Sequence, residues 1–488
     1  ALHVAQGFPD LETPPALRKA VAEAIEAGHN QYAPMPGNVA LRQWLAGSYH
    51  VGADYDAITD ITIGAGASSV IFAAMTALLQ PGDEVIVRDP CYDLYAPVAE
   101  LQHATVVRVP LLNESGNMNS EGLADAVGPR TRMVILNSPH NPTGQLTTPA
   151  MLDALASAMA GTDAWLVSDE VYGPMVHDGR RAALPSLHPQ LRSRTLVAGS
   201  FGKLFHATGW KIGWLAAPAD VTKELRKIHQ YDVFSTGAPI QAGLASYLPT
   251  ADAQTHLNNV GRIYEEKRDR LLLGLQGTGF TWTPAEGGYF QVIGVARYLK
   301  SGETDGDLAR RWTHDHGIAT IPMCAFGNSW EPAVRVCFAK EDETLDRAIA
   351  LLNAIPTEHD AKAKTFSSIA KATKKDQPSP LNVLALQDNL VWQNPQANRL
   401  HFENAIHELL SEKTADLIVL PEMFTSGFTM TLDHVDVLNE SGMSDTSTWM
   451  LNLAKQHGVA ITGSFGVRDT CGATYNRMWF ATPEGDLH

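Results

Sequence analysis

Leu196-Val197-Ala198-Gly199-Ser200-Phe201-Gly202-Lys203 is an apolar run that ends in a turn, and the turn delivers a lysine. Apolar and β-branched residues followed by Gly and Ser read as a strand and its exit. The same pattern recurs upstream. Asp60-Ile61-Thr62-Ile63 leads into Gly64-Ala65-Gly66 and an apolar helix through Leu79. Glu84-Val85-Ile86-Val87 ends at Asp89-Pro90, Met133-Val134-Ile135-Leu136 at Asn137-Ser138-Pro139, and Trp165-Leu166-Val167 at Ser168-Asp169-Glu170. Short strands alternating with helical stretches predict an α/β fold with a largely parallel sheet covered on both faces. Ligands of such sheets sit beyond the C-terminal strand ends. The polar residues of these turns are therefore expected to share one site.

The turns carry chemistry of one kind. Lys203 is hemmed by glycine and aromatic residues, and desolvation there would lower its pKa and free the amine as a nucleophile. Taken alone, the pattern fits a surface lysine better. Thr208-Gly209-Trp210-Lys211-Ile212-Gly213 adds a second cation nearby, and two lysines at one turn suit a ligand with an aldehyde and a phosphate. Ser168-Asp169-Glu170-Val171-Tyr172 places a carboxylate at a strand end with a phenol three residues on. In isolation Asp169 reads as a helix N-cap. Asn137-Ser138-Pro139-His140-Asn141-Pro142-Thr143-Gly144 reads as a rigid turn with two amides. Gly64-Ala65-Gly66-Ala67-Ser68 precedes a helix whose N-terminal amides could hold a phosphate. A dinucleotide fingerprint is not met, because Ser69 stands where the third glycine belongs. That disfavours a dinucleotide-dependent oxidoreductase.

Composition narrows the partners. The 488 residues carry a formal net charge of -16, which repels nucleic acid and anionic membranes, so neither is an expected partner. No apolar run is long enough to span a bilayer, and Ala1-Leu2-His3-Val4-Ala5 lacks the regions of a signal peptide. The four cysteines, Cys91, Cys324, Cys337 and Cys471, form no C-x-x-C pair, which fits a cytoplasmic protein better than a disulfide framework. His314-Asp315-His316 reads as helix surface rather than a metal site, and no metal is expected.

Together and in this order, the motifs resemble the class I, fold-type-I aminotransferases that depend on pyridoxal 5'-phosphate (PLP), nearest to the methionine aminotransferase and kynurenine/glutamine transaminase group. The likeness is carried by Ala5-Gln6-Gly7-Phe8-Pro9-Asp10, Asn30-Gln31-Tyr32, the Asn137–Gly144 turn, Ser168–Tyr172, Ser200–Lys203, Thr208–Gly213 and Val334-Arg335-Val336-Cys337-Phe338. It implies a large domain at about 36–260, with a mostly parallel sheet. A small α/β domain would come from 1–35 and about 261–356. It also implies that Lys203 holds PLP covalently and shuttles a proton, that Asp169 pairs with the pyridinium nitrogen, and that Tyr172 and Asn141 bond the ring oxygen. Tyr92 would stack on the ring. Gly66, Ala67, Ser68, Ser200 and Lys211 would hold the phosphate, with Tyr32 reaching it from the partner of a homodimer. Arg335, assisted by Gly7 and Asn141, would grip the substrate carboxylate, and Phe234 would line the partner's side-chain pocket.

The expected reaction is amino-group transfer between methionine, glutamine or aromatic amino acids and 2-oxo acids, as in methionine salvage. Alternatives on the same site are a kynurenine–oxoglutarate transaminase and a cysteine-S-conjugate β-lyase. An alternative of another class is a non-catalytic PLP-fold binding module, disfavoured by the presence of Lys203, Asp169 and Arg335.

Residues 357–380, polar and ending in Pro-Ser-Pro, read as a linker. From Leu381 a second βα pattern begins. Leu381–Phe402, Ile418-Val419-Leu420-Pro421-Glu422-Met423-Phe424 and Ile461-Thr462-Gly463-Ser464-Phe465 resemble the start of a nitrilase-superfamily ω-amidase. Glu422 matches that family's general base. The surroundings of Cys471 do not match its nucleophile, and the family's lysine would lie beyond His488. The expectation is an incomplete nitrilase-like domain over 381–488, without amidase activity.

Overall fold

The computed structural model describes residues 1–48, 55–113, 118–357, 381–388, 390–426, 435–439, 442–470 and 472–488. The expected linker, apart from Thr357, and Cys471 lie outside these residues. The chain divides into two compact units, Ala1–Ala370 and Lys371–His488.

The first unit is built on a seven-stranded sheet. Its strands are β2 (Ile61–Gly64), β3 (Glu84–Asp89), β4 (Thr105–Pro110), β5 (Thr131–Asn137), β6 (Trp165–Asp169), β7 (Thr195–Ser200) and β8 (Gly213–Ala216), in the order β2-β8-β7-β6-β5-β3-β4. Each strand exit read from the sequence is a strand end here. Strands β4, β3, β5, β6 and β7 run parallel, whereas β8 runs antiparallel to both β2 and β7. Near-continuous apolar runs are what a sheet buried on both faces requires. Val85, Val134, Leu166, Val167, Leu196 and Val197 are fully buried. Each such side chain contributes about 1.5–3 kcal/mol by leaving water.

Register aligns the functional ends. Asn137 pairs with Asp169, and Asp169 with Ala198, two residues before Ser200. Because β8 is reversed, its first residue, Gly213, pairs with the last residues of both β2 and β7, Gly64 and Ser200. Lys211, just before that start, is thereby brought to the same rim. The crossing is tight: a Cβ on Gly213 would meet the Ala67 amide at 2.6 Å, so only glycine fits.

A second layer comes from both ends of the unit. β9 (Phe290–Gly294), β11 (Ile321–Pro322) and β12 (Ala333–Cys337) form an antiparallel sheet with β12 central, and Arg335 sits mid-strand opposite Val292. β1 (Leu2–His3) pairs in parallel with β10 (Ile318–Ala319). Residues 1–35 serve both parts of the unit. β1 joins β10, but helix Pro15–Glu26 packs on helix Ala238–Tyr247, where Gly243 lets Val21 approach closely.

The second unit has β13 (Val383–Ala385), β14 (Leu417–Val419), β16 (Ala460–Arg468) and β15 (Asp436–Val437) in parallel pairings, and β17 (Thr474–Ala481) antiparallel to β16. Its own core includes Phe402, Ile406, Phe424, Met450, Phe465 and Trp479. Helix Asp445–His457 is closed at both ends, by a Ser444/Ser447 capping box and by Gly458 in the left-handed region. Among the described residues no helix is long and apolar enough to cross a membrane, and no His, Cys, Asp and Glu cluster is arranged to hold a metal.

Candidate active site

The ends of β2, β5, β6 and β7, the start of β8, the N-terminal segment and β12 enclose a cavity of about 570 Å³. Gly7, Gly66, Ala67, Ser68, Tyr92, Asn141, Asp169, Tyr172, Ser200, Lys203, Lys211 and Arg335 all line it. Twelve residues singled out from the sequence, spread over more than 300 positions, thus meet in one place. A larger cavity, about 710 Å³, borders this one at Val171 and Ser200 but has no lysine on its walls. Strand alternation sends Glu170 there and Asp169 here.

Lys203 follows Ser200, whose hydroxyl accepts the Lys203 N–H at 3.3 Å and starts a single helical turn. Its Nζ donates to the Gly7 carbonyl at 3.1 Å and lies 5.9 and 5.7 Å from the ring centres of Tyr172 and Tyr289. Burial lowers the ammonium to about 8, and Arg335 and Lys211 push the same way. The free amine is therefore far more available near neutrality than that of an exposed lysine.

Asp169 is only 3% exposed. Its Oδ1 accepts the Val171 N–H at 3.3 Å, the capping bond its sequence position allows, although no helix follows. Its Oδ2 accepts the Tyr95 phenol at 2.7 Å. Burial still pushes the carboxyl up to about 6, so a cationic partner in the cavity would be held strongly.

Arg335 lies 3.9 Å from the Phe290 ring centre and 4.7 Å from that of Phe326. Its Nη1 donates to Asn141 Oδ1 at 2.6 Å and its Nη2 to the Ala5 carbonyl at 3.1 Å, while Nε is buried without a partner. A planar fork clamped between rings, with a donor to spare, suits a carboxylate. Asn141 is held in turn, its backbone N–H donating to Asn137 Oδ1 at 2.6 Å.

Helix Ala67–Leu78 begins at Gly66 (φ +82°) with no side-chain cap. Its first amides are open to an anion, and Lys211 Nζ lies close to Gly66. Ser68 Oγ and Tyr92 Oη stand 3.5 Å apart beside them.

Tyr32 and Phe234 do not line the cavity. Tyr32 is 82% exposed and meets Phe234 edge-on at 5.3 Å. Glu422 belongs to the second unit, where it is exposed and accepts from Asn476 Nδ2 at 3.2 Å. His314 is exposed and bonds only its neighbour Asp315 in the described contacts. Sequence reasoning missed Tyr95, Tyr289, Phe290 and Asp93. The second tyrosine of Tyr92-Asp93-Leu94-Tyr95 was the available signal for Tyr95; Gly287-Gly288-Tyr289-Phe290 offered only a turn.

The sequence profile of the class I and II aminotransferases matches residues 2–352. The chain belongs to that family. The methionine aminotransferase of Escherichia coli is 39% identical over 71% of this chain and 89% of its own length. A crystal structure from that organism, described as identifying a methionine aminotransferase function, superposes with TM-score 0.69 at 38% identity, covering 72% of this chain and 92% of its own. The kynurenine–oxoglutarate transaminase of Dictyostelium discoideum is 32% identical over 71% of this chain and 89% of its length. The structure of N-succinyldiaminopimelate aminotransferase from Mycobacterium tuberculosis gives TM-score 0.69 at 36% identity, over 73% of this chain and 94% of that one. Residues 382–488 match the carbon-nitrogen hydrolase profile.

This chain is a PLP-dependent aminotransferase with a fold-type-I first unit, followed by a nitrilase-like segment. The cavity fits the cofactor on its own evidence: an uncapped helix start beside a lysine for the phosphate, a buried carboxyl for the ring nitrogen, and a desolvated amine for the aldehyde.

Proposed function

We propose that the first unit transfers the amino group of methionine, glutamine or aromatic amino acids to 2-oxo acids. The observation that carries this reading is the meeting of the desolvated Lys203 amine, the buried Asp169 carboxyl and the clamped Arg335 guanidinium on one cavity. Bound PLP supplies an electron sink. Asp169 would hold the ring nitrogen protonated, and Tyr172 and the Asn141 side-chain amide would donate to the ring oxygen. The backbone amides of Ala67 and Ser68, the Ser200 hydroxyl and Lys211 would hold the phosphate, with Tyr92 beside the ring. Arg335 fixes the substrate carboxylate, leaving the substrate Cα proton to Lys203 Nζ as general base.

Substrate class follows from charge. Lys203, Lys211 and Arg335 are the lysines and arginines on the cavity wall, and each has one of these tasks. The remaining charged lining residue besides Asp169 is Asp93. Among the described lining residues a side-chain carboxylate would find no further cation and would share the cavity with Asp93. Uncharged side chains fit; N-succinyldiaminopimelate, with further carboxylates, fits poorly. The exposed Tyr32–Phe234 pair supports a homodimer in which both rings complete the partner's site.

For residues 381–488 by themselves we propose no amide hydrolysis. Covalent hydrolysis of an amide needs a nucleophile beside the base. Their one cysteine, Cys471, lies in Asp469-Thr470-Cys471-Gly472-Ala473, outside the described residues, in surroundings unlike that nucleophile.

The visible spectrum of the PLP-loaded chain tests the reading. A band at ~410–430 nm should move to ~330 nm when methionine or glutamine is added, and be absent in Lys203→Ala. A chain that takes up no PLP, or whose band ignores every uncharged amino acid, would sink it.

A further inference from the structure

The N-terminal segment forms part of the cavity wall through Gln6, Gly7 and Phe8, in a stretch after β1 that is neither helix nor strand. Val4 is tied by backbone bonds to Ala319 and Cys337, and beyond Gly7 a lysine outside the cavity adds a side-chain tie. The Lys340 side chain is 1% exposed. Its Nζ donates to Asp10 Oδ1 at 2.9 Å and to the Phe8 carbonyl at 3.1 Å, and it lies 4.1 Å from the Phe8 ring centre. The Asp10 amide donates to the carbonyl of Ala339, the preceding residue, at 2.9 Å. Lys340 is itself anchored: Lys267 Nζ donates to its carbonyl at 2.7 Å and pairs with Asp342 at 2.9 Å. Removing the buried Lys340 ammonium would take a donor from the Phe8 carbonyl and from the Asp10 carboxylate, whose side chain is 27% exposed, and leave a gap beneath the Phe8 ring.

The segment so held ends its path at the reacting amine. The Gly7 carbonyl accepts from Lys203 Nζ at 3.1 Å and from the Tyr289 phenol at 3.0 Å. Gly7 has no slack, since a Cβ there would meet Phe290 Cζ at 2.5 Å. On the other side, Ala5 gives its carbonyl to Arg335. One short segment thus touches both the cofactor lysine and the substrate-binding arginine, and its far end is tied at Lys340.

We propose that Lys340 is a positioning residue, whose ammonium fixes Phe8 and Asp10 so that the Gly7 carbonyl sits on Lys203 and the Ala5 carbonyl on Arg335. The proposal rests on the assignment of Lys203 and Arg335 above. Without the tie, the wall of the substrate cavity loosens and Lys203 loses an acceptor that favours its charged form. Two consequences differ from those of a purely structural lysine. Substrate binding weakens while the proton-transfer step, made by Lys203, is spared. The pH at which the lysine becomes a free amine falls, because a carbonyl acceptor stabilises ammonium over amine.

The test compares wild type, Lys340→Met, Lys340→Arg and Asp10→Asn. Two measurements are made: steady-state kinetics with methionine, and the pH dependence of the rate at which the metal-free, PLP-free protein takes up PLP. Wild-type uptake and the response to methionine first establish the reading on which the proposal rests. The expected result for Lys340→Met is a KM about tenfold higher with kcat within about twofold, and an uptake midpoint lowered by about half a pH unit. Lys340→Arg should recover most of both. Asp10→Asn should move both the same way by less, and it carries the test alone should Lys340→Met fail to fold. Unchanged KM and uptake midpoint in whichever variant folds, or a fall in kcat at constant KM, would overturn the proposal.

Discussion

Asp169 and Glu422 are both carboxylates just at or past the end of a parallel β-strand, and they could hardly be placed more differently. Asp169 is buried, bonded by Tyr95, and shares its cavity with two lysines and an arginine. Glu422 is exposed, with Asn476 as its hydrogen-bond donor. Strand-end position is common to both; chemistry in the first unit comes from the layer laid over the strand ends by β12 and the N-terminal segment. That layer removes water and adds opposite charge, which is what makes a carboxylate or an amine functional.

Substitutions can sharpen or break this contrast. The largest effect belongs to Lys203→Ala, which removes the proposed nucleophile and base together: transamination of methionine, followed by 2-oxo acid formation, should fall by on the order of a thousandfold or more. Asp169→Asn should lower kcat/KM by about a hundredfold, yet stabilise the PLP-free protein above pH 6. The sign follows from burial. The folded pKa, about 6, lies above the unfolded value, so the contribution to stability is full below the unfolded pKa and lost as pH rises through about 6. At pH 8 the native aspartate is therefore a burden that asparagine removes. Thermal unfolding should show Tm raised by about 2–4 °C. No gain at pH 8 would mean that Asp169 is less desolvated than its burial indicates.

Arg335→Lys keeps the charge but loses the fork between Phe290 and Phe326. Its kcat/KM for methionine should drop by about tenfold to thirtyfold, mostly through KM. Uptake of PLP by the PLP-free protein should speed up with pH and level off above about 8, as the Lys203 ammonium gives up its proton. The smallest effect is expected in the second unit, where Glu422→Gln should leave transamination unchanged within about twofold. A change larger than that would show that the exposed carboxylate contributes to the reaction, and would undo the contrast drawn here.

The sequence made the local half of this site legible and left the distant half dark. Strands, their exits and the residues in the exits follow from short-range patterning, so Asp169, Ser200, Lys203 and Asn141 could be read in place. The Tyr95 bond to Asp169 spans 74 positions and the Lys203 bond to Gly7 spans 196, and no periodicity encodes such contacts. Arg335 lies mid-strand rather than at a turn, so only the likeness to known aminotransferases singled it out. The roles expected of Tyr32 and Phe234 need a second subunit, and a single chain shows only that both rings face outward.

The reversed strand β8 has a consequence for redesign. Lys203 and Lys211 both lie in the return between β7 and β8, eight positions apart. Lengthening that return would not simply decorate the surface; it would change the span between two proposed anchor points for one small molecule. In the terms of a graft or an insertion library, 204–210 is a ruler rather than a loop.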